Sequence, residues 1–242
     1  MQGIRLLCTR RRIAKLSNFL EAAIRTCVST PGLILVEKKE YEECREQYDA
    51  LPLPNAWKII GAEGETGFER MKPFFPELQK LDWIGTLSDD LVPLTYYWDQ
   101  AILEVVNGKN VVSCDDGEQA PVRLVGAYIF SVPLANVLGY HWNPIFKYCF
   151  SDNMWEELGR QTGCWELNMD VMVRHDHPFK TGEEDETHKL SYNPTDYERD
   201  KKRFDEWMQN ERDADIAKIK AFQEDRKPGP FDIILGQAYK TG

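Results

Sequence analysis

The 242-residue chain has no CxxC pair; its six cysteines, Cys8, Cys27, Cys44, Cys114, Cys149 and Cys164, are scattered. A chain this long with that pattern is not a small disulfide-stapled secreted scaffold, and its thiols are expected to be reduced. It also lacks GxGxxG, a Walker lysine loop, GxSxG and HExxH. The usual dinucleotide turn, P-loop, nucleophile elbow and zinc helix are thereby excluded. Long apolar runs are missing too. The most apolar stretch, Leu124 to Tyr140, is interrupted by Ser131, Pro133 and Asn136. It falls short of the roughly 20 apolar residues that span a bilayer and reads as a buried strand running into a short helix. The opening MQGIRLLCTRRRIAKL has only a short apolar run before three arginines, too little for the core of a signal peptide, so a cytoplasmic location is expected. Basic residues are in deficit, 30 Lys and Arg against 40 Asp and Glu, for a net charge of −10. That argues against a nucleic-acid polymer or an anionic membrane as partner but leaves a small nucleotide open.

What is present is enough apolar material for a core, 42% hydrophobic and 12% aromatic, which rules out disorder and fibre. Ile4 to Thr9 is a short apolar run. Ile13, Leu16, Phe19, Leu20, Ala23, Ile24 and Cys27 then recur at the spacing of one buried helix face. After Pro31-Gly32, the continuous run Leu33-Ile34-Leu35-Val36 reads as a strand covered on both faces. Trp57 to Ile60, an amphipathic segment from Gly67 to Lys80, Leu81 to Leu87, a helix over Thr95 to Val106 and a strand at Val111 to Cys114 continue the alternation. The pattern predicts an α/β fold with a mainly parallel sheet flanked by helices. Further on, Leu124 to Phe130 and Trp165 to His175 read as strands and Asp152 to Gln161 as a helix. From Asp196 to Lys227, Tyr197, Phe204, Trp207 and Met208 keep helical spacing within a charged stretch, predicting one long helix with a buried stripe.

Three clusters could carry chemistry. In Trp83-Ile84-Gly85-Thr86-Leu87-Ser88-Asp89-Asp90, adjacent carboxylates follow a buried strand, at the end where open α/β sheets bind ligands. Two carboxylates there could hold a hard cation that neutralises a diphosphate, or simply cap a turn. In Arg174-His175-Asp176-His177, the two histidines share a face if the strand continues through both; imidazole suits Mn²⁺ or Zn²⁺ better than Mg²⁺. The alternative is a pair of loop histidines. In Phe150-Ser151-Asp152-Asn153, Asp152 reads as an N-cap, ionised at neutral pH and also placed to act as a general base. Gly61-Ala62-Glu63-Gly64-Glu65 is a weak candidate for a phosphate cradle because its acids would repel the ligand.

In this order the pieces resemble the GT-A type of nucleotide-sugar-dependent glycosyltransferase, in particular its small bacterial and phage members. The resemblance covers roughly residues 4 to 205. It rests on the opening Leu7-Cys8-Thr9-Arg10, the acid in Val36-Glu37, the motif Ser88-Asp89-Asp90-Leu91-Val92-Pro93, the Asp152-led helix, His175-Asp176-His177, and the stretch Gly182 to His188 followed by Asp200 and Phe204. It implies that Thr9 and Arg10 line the nucleotide site, Glu37 approaches the ribose or base, and Asp89 contacts the sugar nucleotide. Asp90 with His175 or His177 would hold a divalent cation, Mn²⁺ in preference to Mg²⁺. Asp152 would be the acceptor base of an inverting transfer. Ser88 stands where a first Asp is common in the family, and Glu37 where Asp is. The resulting expectation is a GT-A domain over residues 1–180, its nucleotide-binding half about 1–93 and its acceptor half about 94–180, with a helical extension over 181–242. It would move sugar from a nucleoside-diphosphate donor to a glycan or other hydroxyl acceptor. A nucleotidyltransferase or nucleotide-sugar hydrolase using the same metal-diphosphate site is the enzymatic alternative, and a catalytically silent glycan- or partner-binding protein the non-enzymatic one.

Overall fold

The structure is a computed structural model that describes residues 1–117, 120, 123–124, 127–176, 182, 189 and 192–225. Its centre is an eight-stranded sheet, ordered β3-β2-β1-β4-β7-β6-β8-β5. The first half of the chain builds the parallel part: β1 (Gly3–Thr9), β2 (Gly32–Glu37), β3 (Trp57–Ala62) and β4 (Trp83–Leu87). These are the apolar runs read from the sequence, and all five residues of β4 are buried. Beyond β4 the sheet turns mixed. β7 (Tyr128–Ser131) runs antiparallel to both β4 and β6 (Val111–Asp115), β8 (Trp165–His175) runs parallel to β6, and the short β5 (Leu91–Pro93) is antiparallel to β8.

Helix α1 (Ile13–Arg25) buries Leu16, Phe19, Leu20 and Ala23 against one face of the sheet as the spacing predicts, but Ile24 faces outward and Cys27, past the end of the helix, is exposed. The amphipathic segment after β3 is not one helix. Pro73 and Pro76 each remove a backbone donor, and the chain breaks into α4 (Gly67–Met71), a 3₁₀ turn (Lys72–Phe74) and α5 (Phe75–Leu78). A capping box opens α4: Thr66 Oγ1 accepts from the Glu69 N–H, and the Glu69 carboxylate accepts from the Thr66 N–H. The short helices α2 (Lys38–Glu43) and α3 (Arg45–Asp49) fill the crossover from β2 to β3, and α6 (Trp98–Leu103) leads from β5 to β6.

Under β1 lies a fully buried arginine. The Arg5 guanidinium sits 5.3 Å from the Trp83 ring and 4.8 Å from the Trp98 ring, and its Nη2 donates to the Asp99 carbonyl at 3.0 Å. Burial pulls its pKa down to about 10, so it stays charged at neutral pH, its desolvation offset by the two indole faces. Gly85 on β4 leaves the room it needs, since a Cβ there would stand 2.7 Å from Arg5 Cδ.

A second core gathers α7 (Val132–Leu138), α8 (Ser151–Thr162) and the C-terminal helices around Phe130, Trp155 and Trp207. The single helix expected over 196–227 is two: α9 (Pro194–Asn210) and α10 (Arg212–Asp225) part at Glu211, whose φ of −121° leaves helical backbone. The break lets Asp215 fold back so that its Oδ2 accepts from Trp207 Nε1 (3.1 Å) and Tyr140 OH (2.7 Å). Residues 226 and 227 lie outside the described ones.

Candidate functional site

A cleft of about 340 Å³ opens at the carboxyl edge of the parallel strands. Its floor and one side come from the ends of β1 and β4 and the start of α4; the other side is the irregular segment 142–151 that leads into α8. This is the edge where the loops of an open α/β sheet diverge and leave space for a ligand. The charged side chains lining it are Arg10, Arg12, Arg70 and Lys147 against Glu65 and Asp89. A chain with an overall excess of acid therefore concentrates positive charge in one concavity.

The acidic pair sits at the end of β4, and both carboxylates are buried. Asp89 Oδ2 accepts from Thr9 Oγ1 at 2.5 Å and its Oδ1 from Arg12 Nη1 at 2.8 Å; the same Arg12 nitrogen is 3.6 Å from Asp90 Oδ2. Asp90 Oδ1 accepts from Ser88 Oγ and lies 3.3 Å from His175 Nε2. Strand pairing brings these groups together: Leu91 is in register with His175 across β5 and β8, and the Asp176 N–H donates to the Asp90 carbonyl at 2.8 Å. Burial drives the Asp89 pKa up, with the Asp90 charge adding to it and Arg12 and Thr9 opposing. Burial also pushes Asp90 up, but His175, Ser88 and Arg12 together outweigh it and hold this carboxyl below the usual range. Burial alone would make His175 a weaker base; its contact with Asp90, helped by Asp116 and Asp176, reverses that and raises its pKa.

Two of the three expected metal ligands are thus side by side, and the third, His177, lies outside the described residues, as does the stretch 183–188. Among the described residues no group of three or more His, Cys, Asp or Glu side chains is placed to hold a metal ion. The Asp90–His175 pair nevertheless fits one. Ligands about 2.1 Å from an octahedral cation stand about 3.0 Å apart when adjacent, close to the 3.3 Å seen here, and diphosphate oxygens commonly supply other positions.

The remaining sequence candidates divide. Arg10 lines the cleft, and its Nε is 2.8 Å from Glu37 Oε2; Glu37 reaches the site through that ion pair. Thr9 turns its hydroxyl to Asp89. Asp152 is not an N-cap. Phe150, at φ 73°, occupies that position, and Asp152 is the second residue of α8. Its pKa is raised, not lowered, because burial outweighs the Asn153 and Asp152 backbone N–H groups and the Arg123 charge. A carboxylate of raised pKa is a stronger proton acceptor. Burial raises the Tyr192 pKa, and the charges of Asp152 and Asp90 add to it.

Sequence reasoning missed Arg70 and Lys147. Arg70 is 4% exposed, its Nε has no hydrogen-bond partner, and its Nη1 meets the Glu65 carbonyl at a long 3.4 Å. The guanidinium also meets the Cys8 thiol, and one this buried gains from any further acceptor that a ligand brings. The available signal was the Thr66-x-x-Glu69 capping pattern, which fixes where α4 starts and hence that Arg70 falls one turn inside it.

No family model matches the chain, and no curated protein sequence does. Among solved structures it is similar to the mannosyltransferase PcManGT from Pyrobaculum calidifontis in complex with GDP-Man and Mn²⁺. The TM-score is 0.54 at 9% identity, over 99% of this chain and 80% of that one. It is also similar to GalNAc-T7 with UDP, GalNAc and Mn²⁺, with a TM-score of 0.50 at 9% identity; the match covers 72% of this chain but only 44% of the other, less than half its length. Identity this low transfers the architecture and not the residues. The chain has the GT-A-type fold, an α/β sheet flanked by helices.

Proposed function

We propose that the protein is a metal-dependent glycosyltransferase that moves a sugar from a nucleoside-diphosphate donor to a glycan or other hydroxyl acceptor. The observation that carries this is the pairing of a basic cleft with the Asp89–Asp90–His175 cluster at the carboxyl edge of β4. An anionic ligand is attracted by Arg10, Arg12, Arg70 and Lys147, and the acids at its end suit the cation that usually accompanies a diphosphate. The two solved neighbours, captured with UDP and with GDP-Man in the presence of Mn²⁺, support the same reading.

In this reading residues 1–93 bind the nucleotide, residues 94–180 receive the acceptor, and the C-terminal helices brace the second of these. Asp90 with His175 or His177 would hold a divalent cation, Mn²⁺ in preference to Mg²⁺, which when bound would neutralise charge on the leaving diphosphate. Thr9 and Arg12 orient Asp89 toward the donor, and Arg10, steadied by Glu37, faces the nucleotide. Asp152 takes the acceptor proton, and its raised pKa suits that task. Attack from the side away from the diphosphate inverts the anomeric centre.

A thermal-shift screen of UDP-, GDP-, CMP- and TDP-sugars with and without Mn²⁺ tests the proposal, since a ligand that binds the native state raises its melting temperature by mass action. Stabilisation by at least one nucleotide sugar, dependent on Mn²⁺, is expected. A flat response to all four would remove the nucleotide-sugar reading.

A further inference from the structure

The side of the cleft formed by residues 146–150 has no regular secondary structure of its own, yet it is held at three points by one helix. Asp200, in the middle of α9, is fully buried. Its Oδ2 accepts from three consecutive backbone N–H groups, Lys147 at 3.0 Å, Tyr148 at 2.8 Å and Cys149 at 3.0 Å. Its Oδ1 accepts from the Lys147 N–H at 3.1 Å and from Arg199 Nη2 at 2.5 Å. Aromatic contacts flank this grip. The Phe150 ring lies 5.3 Å from Tyr197 and stacks on Phe204 at 5.4 Å, and Phe146 lies 6.4 Å from Phe204. Asp196, one turn before Asp200, is 3.4 Å from Lys147 Nζ.

The same segment carries Lys147, Tyr148 and Cys149 along the cleft and then enters α8 through Phe150, two residues before Asp152. A backbone whose donors converge on a buried carboxylate has little freedom to re-aim its side chains, because any other conformation strands either the amides or the charge. We propose that Asp200 is a positioning residue for the cleft: through the backbone of residues 147–149 it fixes Lys147 and Tyr148 toward the ligand and sets the entry of α8, which makes helix α9 part of the binding site. Asp200 touches no ligand itself. The inference rests on the glycosyltransferase reading only for the identity of that ligand.

The test compares the full-length protein with Asp200→Asn, which keeps the shape and loses the charge, and with Arg199→Gln, which leaves the carboxylate and its three amide partners in place. Three quantities are read: melting temperature, affinity for UDP and GDP in Mn²⁺, and amide hydrogen exchange along the chain. Asp200→Asn is expected to speed exchange selectively over residues 147–152 and to weaken nucleotide binding about tenfold or more at temperatures well below its melting point, while Arg199→Gln stays within about threefold of the parent. Should Asp200→Asn fail to fold, Asp200→Glu, which keeps the charge but displaces it by one methylene, is read in the same way. Unchanged exchange over 147–152, or exchange that rises uniformly across the chain, overturns the proposal, as does nucleotide affinity equal to the parent's with exchange raised. If the parent binds neither UDP nor GDP, the glycosyltransferase reading fails, and the exchange pattern still decides whether Asp200 positions the segment.

Discussion

Along the strand side of the cleft, the carboxylates of Asp89 and Asp90 are held by side chains, those of Thr9, Ser88, Arg12 and His175. Along the loop side the arrangement is reversed, and one carboxylate, Asp200, holds three backbone amides. The difference has a mechanical consequence. Side-chain donors leave a carboxylate by rotating about single bonds, so Arg12 and His175 can yield Asp89 and Asp90 to an incoming cation or ligand at small conformational cost. Backbone donors move only with the chain, so the loop side is fixed before any ligand arrives. A cleft with one adaptable side and one rigid side binds by rearranging charge, not by rebuilding its walls.

The largest effect is expected at Asp152, the proposed acceptor base. Asp152→Asn should lower sugar transfer by roughly 10² to 10⁴ with nucleotide affinity nearly unchanged. A steady-state assay beside a melting curve reads both, and transfer within about threefold of the parent would leave Asp152 structural. Next is the adaptable side. Asp90→Ala should abolish the Mn²⁺-dependent part of nucleotide binding, a loss of about 100-fold or more, in a protein that still folds, because it removes one of two adjacent ligands. Titration in Mn²⁺ and in EDTA measures it, and an unaltered Mn²⁺ response would break the contrast between the two sides.

Arg70 belongs to neither side but to the floor between them. Arg70→Ala should weaken nucleotide binding about tenfold or more, and equally in Mn²⁺ and in EDTA, if the guanidinium that lines the cleft meets the ligand as proposed and not the cation. An effect confined to Mn²⁺ would place Arg70 in the metal pathway instead. The smallest effect is a control remote from the cleft. Burial would raise the pKa of Asp215, but donors from Lys218, Tyr140 and Trp207 outweigh it and depress it. The fold therefore favours the charged form. That contribution is fully present above the unfolded value near 3.8 and is lost as pH falls through the lower folded value. Asp215→Asn should melt a few degrees below the parent at pH 7, the two curves converging as the pH drops below about 4. Nucleotide affinity should not change at all.

The parallel half was legible in the sequence because its strands are buried on both faces and its first helix is amphipathic. Leu33 to Val36 and the stripe Leu16, Phe19, Leu20, Ala23 each carry their own period. The acids after β4 were legible for the same reason: once the buried strand is placed, its carboxyl end and the residues just past it are placed too. Two readings went astray where one local feature overrode the pattern. Glu211 divided the C-terminal helix, and Phe150 took the cap position that residue type alone assigns to Asp152; Pro73 and Pro76 likewise divided the amphipathic segment after β3 into short pieces. Lys147 left no local trace, Arg70 only the capping pattern before it and Asp200 only its place in the resemblance, because their proposed roles arise from a meeting of α4, the 142–150 segment and α9, which lie far apart in the chain.

The most direct test of the central claim is a calorimetric titration of UDP and GDP into the protein, in Mn²⁺ and in EDTA, for the parent and for Asp90→Ala. Saturable binding of at least one nucleotide by the parent, strong in Mn²⁺ and weak in EDTA, with the Mn²⁺ advantage gone in Asp90→Ala, is the predicted result. Binding that is indifferent to the cation in both proteins, or absent from the parent altogether, would contradict it.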